Sequence, residues 1–211
     1  MKFFFMQYKS KNTLLAKDKI SPPNNFKLNN MNRTMQYIKN TYQNIYKAEE
    51  ISQKEANFFT QDLSSISETQ NILLKRHITE EEVQKVLTAL PNYKAPGPDG
   101  FSYEFYKEIQ EEALPTLTGL FNYCLETGTI PRSWSKNIIT LIPKKSDNLN
   151  DVNNWRPISL TNSDMKIFMK ILANRVNEIC DTIIGPAQQA FIKSRSIVDS
   201  FRYYYHTKKS E

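Results

Sequence analysis

No stretch of this 211-residue sequence approaches the run of about 20 apolar residues that a membrane-spanning helix needs. The opening Met1-Lys2-Phe3-Phe4-Phe5-Met6 has the apolar start of a secretory signal, but Gln7, Lys9 and Lys11 interrupt it too early. The chain is therefore expected to be intracellular, cytoplasmic and/or nuclear, and neither secreted nor membrane-bound. Cysteine is scarce. Cys124 and Cys180 are the only two, and they sit far apart on helical patterns. That excludes a disulfide framework and a cysteine metal cluster, and both read as small core residues. The only histidines, His77 and His206, have no ligand-like neighbours and read as surface or satisfied side chains. Neither residue type offers a metal site within these residues. There is no internal repeat.

What is present is positive charge. Lysine and arginine outnumber the acids to a formal net charge of +6, which suits an anionic partner such as nucleic acid. The length allows one domain plus an extension.

Along the chain, residues 1–30 are rich in Asn and Lys around Pro22-Pro23 and read as a poorly ordered leader. Residues 35–59 suggest one long amphipathic helix or a broken one, with Ile38, Tyr42, Ile45 and Tyr46 as its stripe. Residues 60–77 read as a loop or short helix. Thr79 with Glu82 forms a capping box for a helix whose face is Val83, Val86, Leu87 and Leu90. Pro91 ends it. Lys94-Ala95-Pro96-Gly97-Pro98-Asp99-Gly100 is a stiff turn, in which two prolines fix φ and two glycines release it. A plain connector is the competing reading. Ser102 is a cap for a short helix carrying Phe105, Tyr106 and Ile109. Pro115 suits the first turn of the next, with Gly128 as its stop. The run at 138–142 reads as a strand buried on both faces. The stretch 156–160 pairs back as a second strand. A long helix over 164–184 is expected to bury Met165, Phe168, Met169, Leu172, Val176, Ile179 and Ile183, and 197–205 forms a last helix. These elements make an α+β, mostly helical chain with a small two- or three-stranded sheet near 137–160.

Several segments carry a resemblance. Lys94 to Gly100 followed by Glu104-Phe105-Tyr106, Ile139 to Lys145, Trp155 to Leu160, Lys166 to Arg175, and Gln188 to Arg195 stand in the order and spacing of the fingers region of reverse transcriptases from LINE-type non-LTR retrotransposons. The similarity covers roughly residues 68–205, and 42–59 is more loosely similar to the linker upstream of the polymerase. The resemblance implies a fingers-type fragment of a right-hand polymerase. Residues 1–60 would be leader and linker helix, partly disordered. Residues 61–211 would be the N-terminal part of the reverse transcriptase domain, truncated before the catalytic palm aspartates.

Carried over residue by residue, Lys144 and Arg156 would hold the triphosphate of an incoming deoxynucleoside triphosphate. An arginine fork and a lysine point charge suit that task. The competing reading makes Lys144 a solvated strand end and pairs Arg156 with Asp151 or Asp164. Gln188 and Arg195 are the template candidates, ahead of Lys94 and Arg175, which also read as structural. The implied partners are an RNA template or RNA/DNA hybrid and deoxynucleoside triphosphates. Ala190 and Ser194 stand where the family has glycine, so a left-handed backbone or close template approach at those points would be impaired. The complete family enzyme uses Mg²⁺ held by palm aspartates, two of them adjacent, and this sequence contains no Asp-Asp dipeptide. The implied function is a fragment of an RNA-directed DNA polymerase, inactive alone. The alternatives are a non-catalytic RNA-binding module, a chain completed by another polypeptide that supplies the palm, and a decayed reading frame.

Overall fold

The computed structural model describes Ile20, residues 31–61, 63–145 and 148–185, and beyond these only 188–190, 192, 193, 195, 196, 198, 201 and 205. Apart from Ile20, the expected leader lies outside these residues. So does most of the last expected helix, of which Val198, Phe201 and Tyr205 are helical. The chain divides into two compact units built from interleaved stretches. One comprises Met1–Glu50, Leu90–Gln110 and Thr129–Lys166; the other comprises Ile51–Ala89, Glu111–Gly128 and Ile167–Glu211. The fold is mostly helical with a small antiparallel sheet, as the sequence indicated. Among the described residues, no helix is long and apolar enough to cross a membrane.

In the first unit, helix α1 (Met31–Ile45) buries Thr34, Ile38 and Tyr42, which recur every four residues along one stripe. Ile45 and Tyr46, expected on that stripe, are exposed. The expected helix over 35–59 is two helices, since α2 (Gln53–Thr60) starts afresh at Ser52 in the other unit. Ser52 and Glu55 form a complete capping box there. Strand β1 (Ile138–Pro143) pairs antiparallel with β2 (Trp155–Leu160), from Ile138 opposite Leu160 to Pro143 opposite Trp155. Leu141, Val152 and Trp155 join Ile20, Ile38 and Tyr42 in a buried cluster. The two-faced burial expected for β1 holds only at its start, where Ile138 and Leu141 are buried on opposite faces. Further along, Ile142 and its neighbour Ile158 are each 40% exposed, since the buried cluster lies on the Leu141–Trp155 face.

The second unit contains α3 (Glu68–Lys75), α4 (Glu80–Ala89) and nearly all of α6 (Gln110–Thr127). Between α4 and α6 the chain passes through α5 (Tyr103–Glu108) of the first unit. Pro115, expected in the first turn of a helix, is the sixth residue of α6. Its missing N–H leaves only the carbonyl of exposed Glu111 without an intrahelical donor. Gly128 ends α6 at φ +66°, donating its N–H to the Cys124 carbonyl at 3.0 Å. Cys124 and Cys180 are both buried, and neither forms a disulfide among the described residues. The helix expected over 164–184 is two pieces, α7 (Ser163–Asn177) and the short α8 (Cys180–Ile183). Its buried face is Ile167, Phe168, Ile171 and Arg175, while Met169 and Val176 are exposed. Phe121 and Phe168 meet with ring centroids 5.2 Å apart.

The arginine explains the changed phase of α7. Arg175 is 1% exposed and forks onto Glu82, at 2.9 Å from Nε and 2.7 Å from Nη2. Its remaining donors reach the carbonyls of Leu74 (3.2 Å), Arg76 (2.6 Å) and His77 (3.2 Å). The expected capping box of α4 is therefore half a box. Thr79 Oγ1 accepts the Glu82 N–H at 3.3 Å, but the Glu82 carboxylate turns to the guanidinium. Removing one partner of such a pair strands the other and orphans three carbonyls. Arg175→Ala should therefore cost about 3 kcal/mol in denaturant unfolding, at the low end of the range because Glu82 keeps some exposure. Arg175→Lys, which cannot fork, should recover little of it.

Candidate functional site

The hairpin's hydrogen bonding decides where its prolines and cations fall. The Lys144 N–H donates to the Asn154 carbonyl at 2.8 Å just past the last strand pair. Bonded pairs alternate in an antiparallel ladder, so Ile142 and Arg156 form a bonded pair while Pro143–Trp155 and Leu141–Pro157 do not. Both prolines thus occupy positions where a missing N–H costs no ladder bond. The Trp155 carbonyl points away from β1, and the Tyr42 hydroxyl donates to it at 3.2 Å. The loop between the strands is tied by Trp155 Nε1 to the Leu149 carbonyl (3.0 Å) and by Asn154 Nδ2 to the Asn148 carbonyl (2.7 Å).

Alternation puts Thr140, Ile142, Arg156 and Ile158 on the face opposite Leu141 and Trp155. Lys144 lies two residues beyond Ile142 and is a diagonal neighbour of Arg156, a separation that long side chains span. Lys144 is exposed and its ammonium donates to the Asn153 carbonyl at 2.7 Å, so it is anchored beside the strand end. Arg156 is exposed, and among the described residues it makes no ion pair. The acids considered as its partners are engaged elsewhere. Asp151 caps the turn before β2 by accepting the Asn153 N–H at 2.9 Å. Asp164 accepts from Trp134 Nε1 at 2.8 Å and from the Met165 N–H at 2.7 Å. The register thus sets both cations at one end of the open face, with the Arg156 guanidinium in no ion pair among the described residues.

The turn at 94–100 braces the far end of β2. Gly97 lies so close to Asn162 that a Cβ built on it would sit 2.2 Å from Asn162 Oδ1 and 2.4 Å from its N. Only glycine fits there, which distinguishes this turn from a plain connector. Ser163 Oγ donates to the Phe101 carbonyl at 2.7 Å, and Asp99 accepts the Phe101 N–H at 3.1 Å. Glu104 of α5 accepts the Tyr93 N–H, and Lys107 Nζ donates to the Leu90 carbonyl at 2.7 Å. Ser102 precedes α5 but makes no side-chain capping bond. Lys166 Nζ donates to the Ala95 carbonyl at 3.1 Å. Burial pushes the Asp99 carboxyl up and the Lys166 ammonium down, so desolvation outweighs their mutual attraction. Lys94 is exposed.

Gln188 and Arg195 come together in the other unit. Arg195 donates to the carbonyls of Gly185 (2.6 Å), Gln188 (2.8 Å) and Ile184 (2.8 Å), and pairs with Asp181 at 3.3 Å. Gln188 is exposed, its amide donating to the Ala190 carbonyl at 3.2 Å. Ser194 lies outside the described residues. Among those described, no three His, Cys, Asp or Glu side chains gather as a metal site. Asp99 and Asp164 do not fit one, since both already accept backbone N–H groups and Lys166 stands beside Asp99.

Comparison with known proteins decides the relationship. Residues 142–211 match the family model for reverse transcriptase (RNA-dependent DNA polymerase). A 149 kDa protein of transposon TX1 from Xenopus laevis is 30% identical over 159 residues, covering 75% of this chain and 12% of that protein. The chain is related to the reverse transcriptases of LINE-type retrotransposons. The RNA-directed DNA polymerase of mobile element jockey from Drosophila melanogaster is 34% identical over 99 residues, 47% of this chain and 11% of that one. The Pol polyprotein of the type-1 element R2 from Nasonia vitripennis is 29% identical over 127 residues, 60% of this chain and 12% of its own length. The chain thus spans about an eighth of the length of these relatives. The matched stretch begins at Ile142 and contains both hairpin cations. Sequence reasoning missed Asn162 and Lys166, whose roles depend on a turn far upstream in the sequence, at 94–100. It also missed the Tyr42 hydroxyl, which looked like one more member of an apolar stripe.

Burial raises the Tyr42 hydroxyl from its ordinary value to about 12, with nearby Tyr46 adding to the effect. The neutral form is favoured in the folded state. Its contribution is therefore complete below the ordinary tyrosine range and lost as pH rises through about 12. Burial raises Tyr103 and Tyr106 in the same direction. Unfolding followed by tryptophan fluorescence should show stability falling between pH 10 and 12. Tyr42→Phe should shrink that fall without abolishing it, at a cost of about 1 kcal/mol at neutral pH for the lost hydrogen bond.

Proposed function

We propose that this chain is the substrate-holding, fingers-type part of a retrotransposon RNA-directed DNA polymerase. In this reading Lys144 and Arg156 grip the triphosphate of the incoming deoxynucleoside triphosphate. The observation that supports it is the pair of exposed cations on the open face of the hairpin, with the arginine unpaired among the described residues. A guanidinium with free donors takes two phosphate oxygens at once, and the anchored lysine adds a point charge beside it. Residues 61–211 are the polymerase part and 1–60 the leader and linker, though α1 shares its unit with the hairpin. Gln188 offers its amide to an RNA template or RNA/DNA hybrid, and Arg195 acts by holding the loop that carries it. An intracellular setting goes with this reading. Mg²⁺ would serve the complete enzyme, held by carboxylates that the described residues do not assemble.

Binding of a fluorescent deoxynucleoside triphosphate to the 211-residue chain, followed by anisotropy, tests the grip. Arg156→Ala and Lys144→Ala should each weaken binding by about 10-fold or more, the usual worth of a charge-assisted hydrogen bond. Arg156→Lys should not restore it. Equal affinity in the double alanine variant would refute the assignment. The net charge of +6 supports a second reading, a non-catalytic RNA-binding module, which would show salt-sensitive RNA binding with no triphosphate affinity. On either reading, primer extension by these residues alone, with Mg²⁺, an RNA template and all four deoxynucleotides, should match the blank. Extension abolished by Arg156→Ala would contradict that.

A further inference from the structure

A second basic site lies in the other unit. A pocket of about 740 Å³ is lined by Lys85, Lys170, Asn174, Asn177, Glu178, Ile192 and Lys193. Lys85 comes from α4, Lys170, Asn174 and Asn177 from α7, and Lys193 from the stretch that follows α8. The three lysines are exposed, and among the described residues none is in an ion pair. Against them stands one carboxylate, Glu178. The lining has a single apolar side chain and no aromatic ring.

We infer that this pocket binds the phosphate backbone of an RNA strand, separately from the triphosphate grip on the hairpin. Lys170, Asn174 and Asn177 are spaced i, i+4 and i+7, so they form one stripe spanning about 10 Å of helix axis. That length accommodates two successive phosphates of a strand, and Lys85 and Lys193 supply charge from other elements. Asparagine amides and lysine ammoniums are backbone-contacting groups for nucleic acid. The absence of aromatic side chains from the lining removes the stacking surface that would hold bases. The site should therefore be insensitive to sequence. The one apolar residue gives little purchase to a hydrophobic ligand. An acidic peptide shares the charge but has no regular row of phosphates to meet the stripe. The inference rests on the lining itself and does not depend on the triphosphate contact at the hairpin, although Lys193 lies in the same 188–195 segment that the template reading uses.

The test uses the full chain and a fluorescein-labelled 20-nucleotide RNA of mixed sequence, titrated by anisotropy across a salt series. The triple variant K85Q/K170Q/K193Q should bind at least 10-fold more weakly at low salt. Its plot of log affinity against log salt should be shallower by about 2, from about 0.7 for each phosphate of a single strand whose counterions a lysine displaces. A permuted RNA should behave identically, and triphosphate binding should be unchanged. The conservative variant K85R/K170R/K193R should bind like the wild type, which separates charge from folding should the glutamine variant melt early. Unchanged RNA affinity and slope in K85Q/K170Q/K193Q would overturn the inference while leaving the hairpin assignment standing. So would binding of a poly-glutamate peptide that matches RNA in strength and is lost in the same variant.

Discussion

A fully buried arginine organises the second unit. The Arg175 guanidinium carries five donors in a rigid fork, and the end of α3 with the connection that follows offers three carbonyls, while α4 offers the Glu82 carboxylate. Burying the charge is tolerable only because every donor direction is met. Once it is met, α7 has its inward direction set, with Ile171 and Ile167 one and two turns back on the same face. The residues beside that face, Lys170 and Asn174, are then left at the surface, where they line the basic pocket. The pair also explains why Glu82 does not close the capping box that its spacing suggests. A buried guanidinium competes for the carboxylate and wins over one exposed backbone N–H.

In the first unit the governing constraint is the alternation of the hairpin. Two prolines in twelve strand residues would disrupt a ladder if they fell on bonded pairs. The register puts both on non-bonded pairs, and the same register sets Arg156 opposite Ile142 with Lys144 diagonal to it. Trp155 and Leu141 are buried on one face, and that commits the cations to the other. The Tyr42 hydroxyl and the Gly97–Asn162 contact fix the two ends of β2. A shift of register by one residue would send Arg156 into the cluster, so packing on one side of the sheet specifies chemistry on the other.

Element existence was legible where the signal was local. The turn glycine at 128, the strands at 138–142 and 156–160, and the face Val83–Val86–Leu87 all appear as read. Failures came where a polar residue took an inward position. Apolar periodicity cannot see a buried arginine, so the face of α7 was assigned to Met169 and Val176 instead of Ile167, Ile171 and Arg175. The same blindness made Tyr42 a packing residue without a hydroxyl. Burial of β1 was overestimated because a continuous apolar run carries no record of how much of it a two-stranded sheet can cover. Of the candidate cations, Lys144 and Arg156 were singled out through resemblance. The lysines of the pocket were not, since they come from three separate stretches of sequence that only the fold brings together.

The central claim is that Lys144 and Arg156 form the triphosphate grip. Photocrosslinking with an azido-modified deoxyadenosine triphosphate, followed by mass-spectrometric mapping of the adducts on the full chain, tests it most directly. The account predicts adducts on peptides from 141–160 or from the adjoining 94–100 turn, suppressed by excess unmodified triphosphate. Adducts confined to peptides carrying Lys85, Lys170 or Lys193, with the hairpin unlabelled, would contradict it.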